Sequence, residues 1–190
     1  GMYTGDNLRF IKVLNKDVKG SKNYQIISAN KIRESSSLYG VRENTDVYIP
    51  YVKTSSKRKY LRDKDEWFVE WDNTAIEYYK TNKKARFQNS QYYFKKGIGI
   101  PMVKSSTVKA FLMENRVFDQ AIVGIFPKQE ENLLYILALM NSTVINEIIH
   151  IINPTANNSS NYIKLLPYIE PDANTKKEIS DYVSEIIHLE

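Results

Sequence analysis

The chain has 190 residues, a net charge of +5, 42% hydrophobic residues and no cysteine. That length fits one domain with a real core. The lack of cysteine excludes disulfides, thiolate metal sites and cysteine nucleophiles, and fits a reducing, cytoplasmic setting.

Taken in chain order, Asn7 to Leu14 is predicted as a short helix capped by Thr4 or Asp6. Tyr24 to Ser28 reads as a strand and residues 33 to 46 as a Ser-rich loop. Val47 to Val52 alternates around Pro50 and reads as an edge strand. Lys53 to Asp65 is a charged loop or hairpin. Glu66 to Trp71 reads as a strand with Trp67 and Trp71 on one face, expected in the core, and Thr74 to Thr81 as a short helix. Tyr92 to Phe94, Ile98 to Val103 and Val117 to Phe126 are strand candidates. Gln129 to Met140 and Thr143 to Ile152 are helices, with Asn141 closing the first and Ser142 capping the second. Asn153 to Asn161 is a polar loop, and Tyr162 to Ile169 leads to a turn at Pro171 and Asp172. Asn174 to Leu189 is a terminal amphipathic helix with Ile179, Val183, Ile186 and Ile187 on one face.

Strands fill the first two thirds and helices the last third. The expected class is α+β: a mixed, mainly antiparallel sheet with a helix pair and a terminal helix packed against it. One domain is expected over 1–190, with 171–190 as a terminal helix or spacer. The most apolar stretch, Leu133 to Ile152, is broken by Asn141, Ser142, Asn146, Glu147 and His150. Those residues would be costly in lipid, so buried helices and no membrane contact are expected. The first ten residues lack a basic stretch followed by an apolar one, so no signal peptide is expected.

The basic excess permits a polyanionic partner without demanding one, but its clustering is marked. Lys53, Lys57, Arg58, Lys59 and Arg62 form one run, and Lys83, Lys84 and Arg86 belong to a second. Such cations reach phosphates, or else are merely solvated at a hairpin tip. Arg58 is the candidate base reader, because a guanidinium binds guanine O6 and N7 bidentately. Gln88 and Asn89, near Arg86 and Gln91, carry amides that pair with adenine N6 and N7; the alternative is ordinary turn chemistry. Asn157 and Asn158, with Ser159 and Ser160, either donate to a phosphate or cap the next element.

Several segments, in order, resemble one family. GMYTGDNLRF resembles the G-x-x-T-G-D/N-N-x-x-F opening of the C-terminal specificity domain of adenine-N6 DNA methyltransferases. YIPYVKTSSKRKY resembles that family's Y-x-P-Y-x-K-G-G-x-x-R-K-W-Y segment, with Thr54 and Ser55 where the family has paired glycines. ARFQNSQYYFKKGIGIPMV resembles its R-x-Q-N-x-x-Y-Y-F-K-x-G-I segment. LLYILALMNSTVINEII resembles a helix pair with an L-N-S break, and INPTANNSSNYIKLLPY resembles an N-P-T-x-N closing motif. Together these resemble the TaqI-like target-recognition domain of type IIG restriction-modification enzymes and of the PglX methylases of BREX phage-defence systems, which are bacterial and cytoplasmic.

The resemblance implies sequence-specific recognition of double-stranded DNA beside an adenine-methyltransferase domain or subunit that binds S-adenosylmethionine. The opening motif ordinarily follows that domain, so a fragment, a truncated product and a separate subunit are all open. Methylation in such enzymes needs an N-P-P-Y-type motif, and the Asn-Pro here is Asn153-Pro154-Thr155. Gly97-Ile98-Gly99 lacks the strand–turn–helix setting of a nucleotide loop and reads as a kink or bulge in a strand. His150 and His188 lie far apart, with no serine or carboxylate arranged around them, and no cluster has metal-ligand spacing. The chain by itself is therefore expected to be non-catalytic, without cofactor or metal. The alternative is a protein-interaction module that docks a methylase without touching DNA.

Overall fold

A computed structural model describes residues 1–12, 25–27, 31, 37–41, 47–53, 57–62, 65–103 and 106–189. Most of the expected loop over 33–46, and Thr54 and Ser55, lie outside the described residues. The strands are β1 (Met2–Thr4), β2 (Phe10–Lys12), β3 (Gln25–Ile26), β4 (Val47–Val52), β5 (Trp67–Glu70), β6 (Ala85–Phe87), β7 (Gly97–Pro101), β8 (Phe111–Met113), β9 (Val117–Phe118) and β10 (Ile122–Ile125). The helices are α1 (Asn73–Thr81), α2 (Leu133–Asn141), α3 (Thr143–Ile152), α4 (Ser160–Ile163) and α5 (Ala173–His188). The class is α+β, with mostly antiparallel pairing, as the sequence predicts.

The chain gathers into two compact units, each assembled from three separate stretches. Gly1–Lys53, Lys64–Lys95 and Glu114–Gln120 form the first; Thr54–Asp63, Lys96–Met113 and Ala121–Glu190 form the second.

β4 organises the first unit. It pairs antiparallel with β5 on one side, and on the other pairs parallel with β3 at Val47 and Tyr48 and with β9 at Tyr51 and Val52. All six of its residues are buried, so it is a central strand and not the expected edge. Pro50 is tolerated because of where it falls. The carbonyls of Tyr48 and Val52 accept from Ile27 and Asp119, so Pro50, two residues from each, faces the same side. There it lies between the last residue paired to β3 and the first paired to β9, where no ladder donor is required.

The core of this unit centres on Trp71, which is fully buried. The rings of Tyr79, Phe87, Tyr93 and Phe94 surround it at centroid distances of 6.4, 5.9, 6.3 and 5.7 Å. α1 starts at Asp72, whose side chain accepts from the Ala75 N–H at 2.8 Å, and it buries Ala75, Ile76 and Tyr79. The helix expected from Asn7 is only a 3₁₀ turn over Asn7–Arg9. Phe10-Ile11-Lys12 instead pairs with β5, because an extended aromatic and β-branched run gains more from a ladder than from a second helical turn. Tyr92 to Phe94 is not a strand either: Ser90–Tyr92 is a 3₁₀ turn, and Phe94 has φ 64°. Of the three only Tyr93 is fully buried, while Phe94 is half-buried against Trp71 and Tyr92 is exposed. Val117 to Phe126 divides into β9 and β10, separated by the buried Asp119.

The second unit is a three-stranded antiparallel sheet in the order β10-β7-β8, covered by helices. Ile98 and Ile100 of β7 share one apolar cluster with Leu133 and Leu137 of α2, Ile145 and Ile149 of α3, Ile163 of α4 and Val183 of α5. The expected Ser142 cap is present, its Oγ accepting from the Ile145 N–H at 3.2 Å; Asp172, expected only in a turn, caps α5 by accepting from the N–H groups of Asn174 and Thr175. Gly97 and Gly99 sit in regular strand, Gly97 paired with Met113 of β8 and Gly99 with both Phe111 of β8 and Gly124 of β10. A Cβ at Gly99 would stand 2.6 Å from the Phe111 ring, and one at Gly97 2.5 Å from Phe126, so the glycines admit close aromatic packing. Among the described residues no single helix is long and apolar enough to cross a membrane, and α2 and α3 are bent by 66°.

Candidate nucleic-acid interface

The second unit carries Lys57, Arg58, Lys59 and Arg62, and the first carries Lys53, Lys83, Lys84 and Arg86. In the second unit Lys57, Arg58 and Lys59 are consecutive and exposed, and Arg62 is half-buried. What holds them is Tyr60. Its N–H donates to the Ala110 carbonyl at 2.8 Å, its carbonyl accepts from Leu112 at 2.8 Å, and its ring joins the apolar cluster. Tyr60 has φ 68°, a left-handed conformation a non-glycine residue keeps only where its surroundings over-determine it. The segment is therefore an extra one-residue bridge on the free side of β8, with cations displayed before it.

Ala110 is itself fixed by Asn141, which is only 4% exposed at the end of α2. The Ala110 N–H donates to Asn141 Oδ1 at 3.0 Å, and Asn141 Nδ2 donates to the Ala110 carbonyl at 2.9 Å. The amide thus meets the peptide as a neighbouring strand would. Asn141 Nδ2 also donates to the Leu137 carbonyl at 3.1 Å, and Lys59 Nζ donates to the Asn141 carbonyl at 3.0 Å. The sequence marks Asn141 only as a helix terminator. An amide inside an apolar run is the signal that it has partners.

In the first unit Lys83 and Lys84 lie exposed in the turn between α1 and β6. Asn82 Oδ1 accepts from the Lys84 N–H at 2.8 Å, and the Lys84 carbonyl accepts from Gly5. Arg86 is exposed on β6, opposite Tyr3 of β1. Gln88 and Asn89 follow, both exposed, with Asn89 at φ 60°. Tyr93 donates its hydroxyl to the Gln88 carbonyl at 2.8 Å, tying the turn to the buried aromatic cluster. Lys53 is placed differently. Its ammonium stands 4.2 Å from the ring centroids of both Phe10 and Trp67, so it is engaged in packing through cation–π contact. Trp67 is half-buried beneath it, while Trp71 fills the core.

The N-P-T segment is a staple. Asn153 is fully buried; its Nδ2 donates to the Asn157 carbonyl and to Asn158 Oδ1, both at 3.0 Å. Its Oδ1 accepts from the Thr155 N–H at 2.9 Å and the Thr155 hydroxyl at 2.7 Å. Asn158 is 4% exposed, and its N–H donates to the Met102 carbonyl. Its side chain is therefore engaged within this loop. Asn157 is exposed, with its carbonyl occupied by Asn153 and Thr155.

Both histidines contact backbone carbonyls: His150 Nε2 lies 3.1 Å from Ser106 O, and His188 Nδ1 2.6 Å from Ser184 O. Among the described residues no group of three or more His, Asp and Glu is arranged to hold a metal ion.

No protein-family profile matches the chain. Over 127 residues it is 31% identical to the adenine-specific methyltransferase BrxX of Escherichia coli O9:H4 (strain HS). That alignment takes in 65% of this chain and 10% of the relative, so the chain spans about a tenth of that protein's length. The match supports a relation between this chain and a methyltransferase.

Proposed function

We propose that the chain is a duplex-DNA target-recognition domain of a bacterial restriction-modification or phage-defence adenine methyltransferase, of the TaqI-like kind found in type IIG and BREX enzymes. Methyl transfer, with S-adenosylmethionine, belongs in this reading to a separate domain or subunit; this chain contributes recognition. In this reading residues 1–190 are one recognition domain.

The observation that carries the reading is the display of Lys57, Arg58 and Lys59, exposed side by side on a segment clamped at Tyr60. Cations held by a rigid backbone meet phosphates without paying to be ordered first. The turn over Lys83, Lys84, Arg86, Gln88 and Asn89 supplies a second set of cations and two exposed amides. Phosphate contacts would fix the domain on the duplex, and Arg58, Gln88 and Asn89 would read base edges, each good bidentate pair discriminating by about 1–3 kcal/mol. The similarity to BrxX agrees with work beside a methyltransferase.

The test is a fluorescence-anisotropy titration of a labelled random-sequence duplex at several salt concentrations. We expect a Kd of about 10⁻⁴–10⁻⁶ M that weakens log-linearly with salt. The triple variants K57E/R58E/K59E and K83E/K84E/R86E should each lower the slope by about 0.9 for every phosphate they no longer neutralise. Unchanged slopes in both would refute the reading. Absence of binding together with capture of the neighbouring methylase in a pull-down would favour the docking-module alternative.

A further inference from the structure

We propose that Asn141 is a positioning residue for the basic segment Lys57–Arg62; this rests on the DNA-recognition reading above. The geometry is a short chain of contacts within the second unit. Asn141 holds both polar groups of the Ala110 peptide, at 3.0 and 2.9 Å. The same Ala110 carbonyl receives the Tyr60 N–H. Tyr60 sits between the exposed Lys57, Arg58 and Lys59 and the half-buried Arg62. A second tie runs directly, from Lys59 Nζ to the Asn141 carbonyl.

Ala110 is fully buried. Without the Asn141 amide its N–H loses a partner where no water replaces it, and the peptide must turn to find another. Tyr60 then loses the fixed acceptor that sustains its left-handed conformation. The basic segment is left on a looser tether, and ordering it on DNA costs affinity. Lys59 matters twice on this account, because its ammonium neutralises the partial negative charge at the end of α2 while lying beside the cations that face solvent.

A residue that merely stabilised the fold would weaken every DNA contact equally. A positioning residue acts through one set only, and that difference is measurable. Asn141→Ala is combined with K57E/R58E/K59E and, separately, with K83E/K84E/R86E, and duplex binding is titrated under conditions where circular dichroism shows each protein folded. Asn141→Ala alone should weaken binding by about tenfold, with that loss vanishing in the first background and persisting in the second. Equal losses in both backgrounds overturn the proposal while leaving the DNA-recognition reading in place. Failure of wild-type protein to bind duplex overturns the DNA reading and with it the functional role assigned to Asn141.

Amide hydrogen exchange tests the geometry without DNA. In wild-type protein the Tyr60 and Leu112 amides should be protected alongside Ile98 and Ile100, and Asn141→Ala should speed exchange at Tyr60 and Leu112 by about tenfold while sparing β7. An unprotected Tyr60 amide in wild-type protein overturns the proposal even if the variant does not fold.

Discussion

Buried phenols make the first unit sensitive to alkali. Tyr51, Tyr79 and Tyr93 are 1%, 1% and 3% exposed. Burial pushes all three ionisations far above the usual tyrosine range, helped at Tyr51 and Tyr93 by the Asp119 carboxylate and at Tyr79 by Glu70, with Arg9 opposing. A raised folded-state value means that above pH about 10 the unfolded chain releases protons that the folded chain keeps, so stability falls as pH rises. It is fully present below pH about 10. At pH about 11 an unfolded tyrosine gains about 1.4 kcal/mol from ionising, so three held protonated cost about 4 kcal/mol together. For a urea slope near 2 kcal/mol/M, that moves the midpoint by about 2 M. Both tryptophans, Trp67 and Trp71, lie in this unit, so their fluorescence reports its unfolding selectively. Urea titrations at pH 8, 10 and 11, followed by tryptophan emission and by tyrosinate absorbance, give the test. Tyr79→Phe should remove about a third of the alkaline loss. The reasoning fails if the midpoint is the same at pH 8 and 11, or if every tyrosine ionises before the tryptophan signal moves.

Other substitutions probe the scaffold. Gly99→Ala places a methyl 2.6 Å from the Phe111 ring and should destabilise the second unit by about 1–3 kcal/mol in urea unfolding. Asn153→Ala strips the staple that joins Thr155, Asn157 and Asn158; a loss of about 2–3 kcal/mol is expected, and Asn153→Asp should do no better, because its second carboxylate oxygen would face the Asn157 carbonyl and Asn158 Oδ1 that now accept from Nδ2. Asp65→Ala removes both carboxylate oxygens that Arg116 meets at 3.0 and 2.7 Å. With side chains 27% and 19% exposed, the loss should be about 1–2 kcal/mol, and a double cycle with Arg116→Ala isolates the coupling.

Much of the fold is legible in the sequence because the helices announce their ends. Asp72, Ser142 and Asp172 each precede an apolar-periodic run and each caps it. The strands are less legible, since several are two or three residues long and exist through pairing rather than pattern. β1 and β6 support each other over three residues, and nothing in MYT or ARF distinguishes them from loop. β4 misleads for a related reason: Pro50 argues for an edge until the neighbouring strand is known to change from β3 to β9 beside it. The charges of the candidate site are plain in the sequence, whereas their supports are not. The cation–π contact of Lys53 with Phe10 and Trp67, for one, joins residues far apart in sequence.

The segments that resemble known specificity domains mix two kinds of residue. In YIPYVKTSSKRKY, Tyr48, Ile49 and Tyr51 are buried, while Lys57, Arg58 and Lys59 are exposed. In ARFQNSQYYFKK, Tyr93 is buried and holds the carbonyl of the exposed Gln88. In LMNST, Asn141 is buried and holds the peptide on which Tyr60 hangs. In INPTANN, Asn153 and Asn158 are buried and close the loop on each other. An exposed side chain can change without disturbing the fold, whereas a buried amide with several partners cannot. A scaffold of this kind lets the surface residues vary, and with them the sequence read, while the backbone that presents them stays where it is. Substitution of Arg58 or Gln88 should therefore alter DNA binding at unchanged stability, and substitution of Asn141 or Tyr93 should change both.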